Sequence, residues 1–419
     1  MSTVFSRIAA GILASSVIVA CSDRSTHLAE PRISHPATDL IRGALASTPT
    51  TTVRWNEIAR LLVASHNTNG PLASRAYALV SMAQLAAVGA LHNESDDQVN
   101  GNDTPPSTRA AIAKASSVVL AALYTDNATA TLLAAQLALD ETASTDNHTD
   151  IAAGDALGNA TGLTVVARAT TDGAAAANCP ATPPLPATQF WHDDAVPPNP
   201  QPLLPCFGKV RTWLGLDVSQ FRTDPAPPPA FGSPAFRAGL AEVRQISDTR
   251  TAEQLAIVDE WLDGNNSQQP PGHWNTIASD LITQHHLSEA RAAHVLATLN
   301  VAMMDTHVAC WDRKYTYWES RPWMVDPAIT TPRGQPHHPA NPSGHACAGG
   351  AGSGALAEFF PAESGSLFAM GDQEGFSTVL SGVHYRFDVE AGLAIGRAIA
   401  SQASRLHSRD ELLALLSSR

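Results

Sequence analysis

Apolar residues recur at the spacing of an α-helix over much of this chain, and this periodicity restricts the possible folds most strongly. Alternation of apolar and polar residues, which is typical of half-buried strands, is nearly absent. The predicted helical segments are Val53 to Ser65, Pro71 to Leu91, Ser107 to Tyr124, Ala128 to Glu141, Thr251 to Leu262, Ser288 to Trp318, Gly344 to Phe360 and Asp388 to Leu406. We therefore predict an all-α fold, a large helical bundle.

Proline interrupts the helical pattern between Ala174 and Pro234. Because proline lacks an N–H group and has a fixed φ, this stretch cannot be a regular helix or a central strand. It is either a linker or a loop that wraps around the helices, and the aromatic residues Trp191, Phe207 and Trp213 favour the packed loop. The predicted organisation is an N-terminal helical half at 53–170, a Pro-rich wrapping loop at 171–250 and a C-terminal helical half at 251–419.

Three glycines repeat every four residues at Gly154, Gly158 and Gly162. On a helix this spacing places them on one face, and the absence of side chains there lets a neighbouring helix approach closely. Close helix packing explains the stripe better than a phosphate-binding loop does.

The first residues are typical of an exported protein. Arg7 precedes an apolar run, Ile8 to Ala20, that is too short to span a bilayer comfortably. The small residues before Cys21 resemble the lipobox of bacterial lipoproteins, in which the cysteine is lipidated; the alternative is an ordinary signal peptide with a chance cysteine. We expect a signal peptide at 1–21, a flexible mature N-terminus at 22–52, and a periplasmic lipoprotein attached to the membrane only through its lipid anchor.

Four further cysteines, an even number, suit an oxidising compartment. Three pairings are possible among Cys179, Cys206, Cys310 and Cys347, and a bond between the first two is favoured because it would clip the Pro-rich loop. The spacing of cysteine and histidine does not indicate a structural zinc site.

The formal net charge of -13 argues against a nucleic-acid partner, since proteins that bind nucleic acid usually carry a basic face. The few cations are therefore expected to act locally. No later apolar run is long enough to indicate an integral membrane protein. The oligomeric state stays open because no heptad seam is present.

Two cations are spaced so that they can share one face of a helix. Lys314 and Arg321 lie seven residues apart, and Pro322 enforces the end of the helix beside them. A guanidinium can grip two oxygens while an ammonium acts as a point charge, which suits the recognition of an anion.

The run from Asn341 to His345 stands directly before a predicted helix. Free backbone amides at a helix start attract anions, and Gly344 allows the backbone to come close to one. Ser343 adds a hydroxyl group and His345 can act as a general acid or base.

His384 and Asp388 are four residues apart at the start of the last long helix. The carboxylate can then bond one ring nitrogen and direct the other nitrogen outward. The pair is a candidate nucleophile or ligand of a metal oxide.

In this order and spacing, Lys-x₆-Arg-Pro, Pro-Ser-Gly-His and His-x-x-x-Asp resemble the three signatures of the type-2 phosphatidic-acid phosphatase and vanadium-dependent haloperoxidase superfamily. Trp311, the segments 202–210 and 383–392, and the helical N-terminal half with Trp55 and Arg75 are similar to the bacterial haloperoxidase-like branch. The resemblance covers most of the mature chain and implies the fold of that superfamily.

The resemblance also implies a site for vanadate, with phosphate able to occupy the same place. His384 would bond the vanadium or attack phosphorus, Asp388 would orient it, and His345 would be the acid or base. The oxygens would be held by Lys314, Arg321, Ser343 and the amide of Gly344.

One position departs from the family pattern, because Ser377-Thr378 stands where the third signature normally reads Ser-Arg. A lost charge-assisted hydrogen bond is worth about 1.5 to 3 kcal/mol, or about one to two decades of affinity. Arg386 should point away from the site, whereas Arg333 is a candidate replacement in the loop before His345.

Two more residues are expected next to the site. Trp311 precedes the lysine by three residues, and His338 stands seven residues before His345. Family members with bromoperoxidase behaviour carry a histidine at that place, although an incidental loop histidine is an equal alternative.

Three functions are compatible with these motifs. The first is a vanadate-dependent haloperoxidase that uses hydrogen peroxide and a halide. The second is a soluble acid phosphatase that cleaves a phosphoester through a phosphohistidine. The third is a non-catalytic lipoprotein that keeps only the helical scaffold.

Overall fold

A computed structural model describes residues 50–97, 104–142, 149–194, 201–406 and 409–416. These residues belong to one compact unit, Ser47–Arg419. The predicted signal peptide with Cys21, and all but the last residues of the predicted flexible N-terminus, lie outside the described residues.

The described part of the chain forms fourteen α-helices and no strand, so the prediction of an all-α fold is confirmed. The helices are α1 Thr51–Ser65, α2 Gly70–Asp97, α3 Thr108–Leu123, α4 Asn127–Thr142, α5 Ile151–Thr171, α6 Pro234–Thr249, α7 Ala252–Glu260, α8 Gln269–Gln284, α9 Glu289–Tyr317, α10 Pro322–Val325, α11 Gly344–Phe359, α12 Ser364–Leu380, α13 Arg386–Ser404 and α14 Arg409–Ala414. Within the ranges given above, none of them is both long and apolar enough to cross a bilayer.

Helix α9 forms the centre of the fold. Nearly all of its side chains from Ala292 to Lys314 are buried, and it packs against α2, α11 and α13. Ser288 caps its start by accepting a hydrogen bond from the N–H of Arg291. Its end is set by Trp318, whose φ of 51° lies in the left-handed region and turns the chain sharply. The prediction that Lys314 and Arg321 share one face of a helix is wrong, because α9 ends at Tyr317 and Arg321 lies after this turn, directly before α10.

Glycines let α11 and α13 approach closely. A Cβ atom on Gly350 of α11 would stand 2.5 Å from the carbonyl oxygen of Leu393, and one on Gly396 of α13 would stand 2.5 Å from the amide of Ala351. Both helices start next to each other as a result, since the N–H of Ser343 donates to the carbonyl of Asp388 at 3.0 Å.

The predicted glycine stripe lies on α5 and packs against α3. A Cβ atom on Gly158 would stand 2.3 Å from the carbonyl oxygen of Ala111. The stripe therefore serves close helix packing.

The Pro-rich segment is packed onto the helices. Trp191, Phe207 and Trp213 are buried, and Cys179 and Cys206 form a disulfide bond. Cys310 and Cys347 are free and buried.

The prediction of a loop from 171 to 250 is wrong at its end, because α6 occupies Pro234–Thr249. Ser233 accepts a hydrogen bond from the N–H of Phe236, and Pro234 stands at the first helical position, where its missing N–H costs nothing. The helix also buries Phe236 and Val243, which stabilises it.

Candidate active site

The three motifs meet where α9, α11 and α13 come together. Arg321 donates from Nη1 to Nε2 of His384 at 2.8 Å and to the carbonyl of Val383 at 2.7 Å. It also donates from Nη2 to Nδ1 of His338 at 3.1 Å. We call the group formed by Lys314, Arg321, Ser343, His345 and His384 the imidazole-cation site.

Lys314 lies in the last turn of α9 and is fully buried. Its Nζ donates to the carbonyls of Pro339, at 3.0 Å, and Ala340, at 2.9 Å, and also to the carbonyl of Pro342. All three ammonium hydrogens therefore point into the loop that leads to Ser343.

Ser343 caps α11, since its Oγ accepts from the N–H of Ala346 at 3.3 Å. The same oxygen lies 3.3 Å from Oγ1 of Thr378, which donates to the carbonyl of Gly375. Thr378 thus stands beside the site, in the place that the family signature gives to an arginine.

Neither surface arginine supplies the missing charge. The prediction that Arg333 is a replacement is wrong, because its guanidinium is paired with Asp259 at the exposed surface. Arg386 points away as predicted and binds Glu242, with Nε 2.8 Å from Oε1.

Arg321 and Asp388 together fix the tautomer and orientation of His384. Oδ2 of Asp388 lies 3.0 Å from Nδ1 of the imidazole and accepts the N–H of Tyr385 at 3.0 Å. A guanidinium can only donate, so Nε2 accepts the hydrogen bond from Arg321 and the proton of neutral His384 resides on Nδ1. Nε2 then carries a lone pair, which faces the guanidinium of Arg321.

His345 lies at the more open side of the site, where its Nε2 is 3.3 Å from the carbonyl of Leu262. Trp311 forms a wall: its ring centroid lies 5.2 Å from that of His338, and a Cβ atom on Gly344 would lie 3.8 Å from its ring. The structure therefore brings the residues predicted to hold and process the anion into one region together with Trp311, His338 and Thr378, whereas Arg333 lies outside it. The catalytic roles of these residues stay predictions.

Burial sets the charges of these groups. It lowers the pKa of Arg321 to about 10 and that of Lys314 to about 8, so both are cationic at neutral pH. Burial, together with the charges of Arg321 and Lys314, holds the pKa of His384 well below its usual range, and burial also lowers the pKa of His345. Both imidazoles are consequently neutral.

Two buried groups next to Asp388 were missed by the sequence analysis. Burial and the neighbouring Asp388 raise the pKa of Glu319 well above its usual range, which favours its protonated form. Asn341 donates from Nδ2 to Oδ1 of Asp388 at 2.9 Å. Glu319 is the one acidic residue between Lys314 and Arg321 in the sequence, and this position could have identified it as a candidate for the site.

The charges within this region do not balance. Arg313, Lys314 and Arg321 are buried cations, whereas burial raises the pKa of Glu319 and Asp388, the two carboxyl groups that we find beside them in the described part of the chain. Buried charge is unfavourable without a partner of opposite sign. The surplus of positive charge, together with the lone pair of His384, suits a multivalent oxyanion. The residues therefore fit vanadate or phosphate, with one cation fewer than the family signature has.

Known proteins share both the motif region and the fold. Residues 291–411 match the family model of the PAP2 superfamily. A bacterial vanadium-dependent iodoperoxidase superposes with a TM-score of 0.73 at 22% identity, over 85% of this chain and 96% of that one. The holo-type of a bacterial vanadium-dependent chloroperoxidase superposes with a TM-score of 0.64 at 15% identity, over 90% of this chain and 98% of that one. The apo-type superposes with a TM-score of 0.63 at 15% identity, over 84% of this chain and 96% of that one. A search among curated proteins finds no match.

The match to the PAP2 superfamily thus covers the part of the chain that carries all three motifs. The fold of the chain is the one found in bacterial vanadium-dependent haloperoxidases, as the resemblance predicted. Among the described residues, no group of three or more histidine, cysteine, aspartate or glutamate side chains could hold a metal ion.

Proposed function

We propose that this protein is a vanadate-dependent haloperoxidase-like enzyme that oxidises a halide with hydrogen peroxide. The observation that carries the proposal is the surplus of buried positive charge around the lone pair of His384. The fold shared with proteins described as vanadium-dependent iodoperoxidase and chloroperoxidase supports it. Bound vanadate would supply Lewis-acid activation of hydrogen peroxide.

In this proposal, each residue of the site has one of three roles. Lys314, Arg321, the hydroxyl of Ser343 and the amide of Gly344 neutralise the oxygens of the anion. Asp388 orients His384 through Nδ1, and Nε2 would bind the central atom in place of its hydrogen bond from Arg321. His345, neutral and on the open side, takes up and returns a proton.

A second candidate is an acid phosphatase. It is favoured by the match of residues 291–411 to the PAP2 superfamily and by the neutral imidazole of His384, which can attack phosphorus. Vanadate resembles the transition state of phosphoryl transfer, so the same residues would serve both reactions.

An assay of residues 22–419 separates these functions. The purified protein is tested with and without orthovanadate for peroxide-dependent oxidation of iodide and bromide, and separately for hydrolysis of p-nitrophenyl phosphate. Halide oxidation that depends on vanadate supports the proposal. Hydrolysis that vanadate inhibits supports the phosphatase, and the absence of both activities leaves a non-catalytic scaffold.

We also propose that the protein is exported and lipidated at Cys21, facing the periplasm. The disulfide bond between Cys179 and Cys206 supports an oxidising compartment. Cells that express the full chain are labelled with palmitate, and the label is expected in the wild type and not in Cys21→Ser. Equal labelling of both would contradict a lipid anchor at this residue.

A further inference from the structure

Arg313 is a fully buried cation whose hydrogen bonds go to oxygens of neutral groups. Its Nη1 donates to the carbonyls of Phe221 and Pro225 at 2.8 Å, and its Nη2 donates to that of Ala226 at 2.7 Å. Its Nε donates to Oδ1 of Asn341 at 2.8 Å. The guanidinium thus joins the Pro-rich segment to the loop that precedes α11.

Asn341 has a single satisfactory orientation between its two partners. The guanidinium of Arg313 can only donate hydrogen bonds, so the amide oxygen must face it. The amide nitrogen therefore faces Asp388, and it donates to Oδ1, which lies 2.9 Å away. Arg313 therefore determines which end of the amide reaches Asp388.

The two oxygens of Asp388 have different partners. Oδ1 accepts from Asn341, while Oδ2 lies 3.0 Å from Nδ1 of His384. Asn341 and Asp388 are both fully buried, so water cannot replace a lost contact easily. Loss of the amide donor would allow the carboxyl group to rotate and would weaken the hydrogen bond between Nδ1 of His384 and Oδ2.

We propose that Arg313 and Asn341 are positioning residues that act through Asp388 to hold the hydrogen bond that orients His384. The effect that we expect on kcat rests on the proposed function. The effect on the orientation of His384 is expected for any reaction at this site. It adds a connection from the Pro-rich segment at 221–226 to the reacting imidazole.

The test uses Asn341→Leu, which keeps a similar volume without an amide. Histidine labelled with ¹⁵N reports the tautomer of each ring, and the signal of His384 is assigned by its loss in His384→Ala. In the wild type we expect a downfield Nδ1–H signal of His384 that exchanges slowly with solvent. In Asn341→Leu we expect this signal to move upfield and to exchange faster, with a 10- to 100-fold lower kcat and little change of KM, as is usual when the partner of a ligand histidine is lost.

Two further variants keep the test decisive. Asn56→Leu removes another fully buried amide, one that donates to Asn275 at 2.8 Å, so it should lower the melting temperature and leave the signal of His384 unchanged. If Asn341→Leu does not fold, Arg313→Lys is measured against Arg313→Met, and the lysine variant is expected to preserve the Nδ1–H signal better.

An unchanged Nδ1–H signal of His384 in Asn341→Leu, or in Arg313→Met where that pair replaces it, would overturn the inference. Because the spectra need neither vanadate nor turnover, this result differs from a failure of the proposed function. A changed Nδ1–H signal in a protein without either activity would leave the positioning role intact.

Discussion

The helix pair α3 and α5 and the helix pair α11 and α13 both pack closely through glycines, but only the second pair lies beside the candidate site. In both pairs a glycine of one helix lies against the backbone of the other, with Gly158 next to Ala111 and Gly350 next to Leu393. The first contact buries mainly small uncharged residues. The second lies next to Ser343, His384 and Asp388, beside two buried cations. Close helix packing is therefore common to both pairs, and buried charge is what distinguishes the pair at the candidate site from the pair that only packs.

The largest expected effect comes from His384→Ala. The variant removes the lone pair that faces Arg321, so halide oxidation or phosphoester hydrolysis should fall by about 10³-fold or more. The far-UV circular dichroism spectrum should not change. His285→Ala is the matched control, since that histidine lies at the surface and binds Glu363. An active His384→Ala variant would remove the site assignment.

The second comparison concerns a buried carboxyl away from the site. Asp305 is fully buried, and burial raises its pKa to about 7, although the N–H groups of Trp213 and Leu214 both donate to it. The folded state thus binds the proton more tightly than the unfolded state does. The contribution of Asp305 to stability is therefore greatest below about pH 4, and it is lost as the pH rises through 7.

We expect Asp305 to lower the free energy of unfolding by on the order of 4 kcal/mol between about pH 4 and pH 7. Urea denaturation of the wild type and Asp305→Asn at a series of pH values measures this contribution. The curve of the variant should be flatter over that range. Parallel curves would show that Asp305 does not titrate there.

A charge added at the site should strengthen anion binding. Thr378→Arg restores the residue expected from the family signature next to Ser343, and should tighten orthovanadate binding by about one to two decades. Isothermal titration measures the affinity. Thr378→Gln controls for side-chain length without charge, and equal or weaker affinity in the arginine variant would contradict the account of this position.

The smallest effect is expected from the scaffold. Gly158→Ala places a methyl group 2.3 Å from the carbonyl oxygen of Ala111, so α5 must shift, at a cost of about 1 to 3 kcal/mol in stability. Thermal denaturation should show a lower melting temperature, with unchanged activity per folded molecule. Gly365→Ala in α12 is the control, because no atom lies within 4 Å of the added carbon. A larger loss of activity than of stability in Gly158→Ala would mean that the two helix pairs are coupled.

Much of the fold and of the site could be predicted from the sequence, because helical periodicity and motif spacing are local signals. The orientation of the Arg333 side chain could not be predicted from a local pattern, because its partner Asp259 lies 74 residues earlier in the chain. The start of α6 was obscured by the prolines before Pro234, although Ser233 is a good capping residue. The roles of Arg313 and Asn341 depend on carbonyls and a carboxylate that only the folded chain brings together.

The central claim is that the imidazole-cation site binds one tetrahedral oxyanion at His384. The most direct measurement is a crystal structure of the protein soaked with orthovanadate, with the anomalous signal locating the metal. We expect the metal within bonding distance of Nε2 of His384 and its oxygens in contact with Arg321 and Lys314. Metal bound elsewhere, or no metal in the site at saturating orthovanadate, would contradict the account.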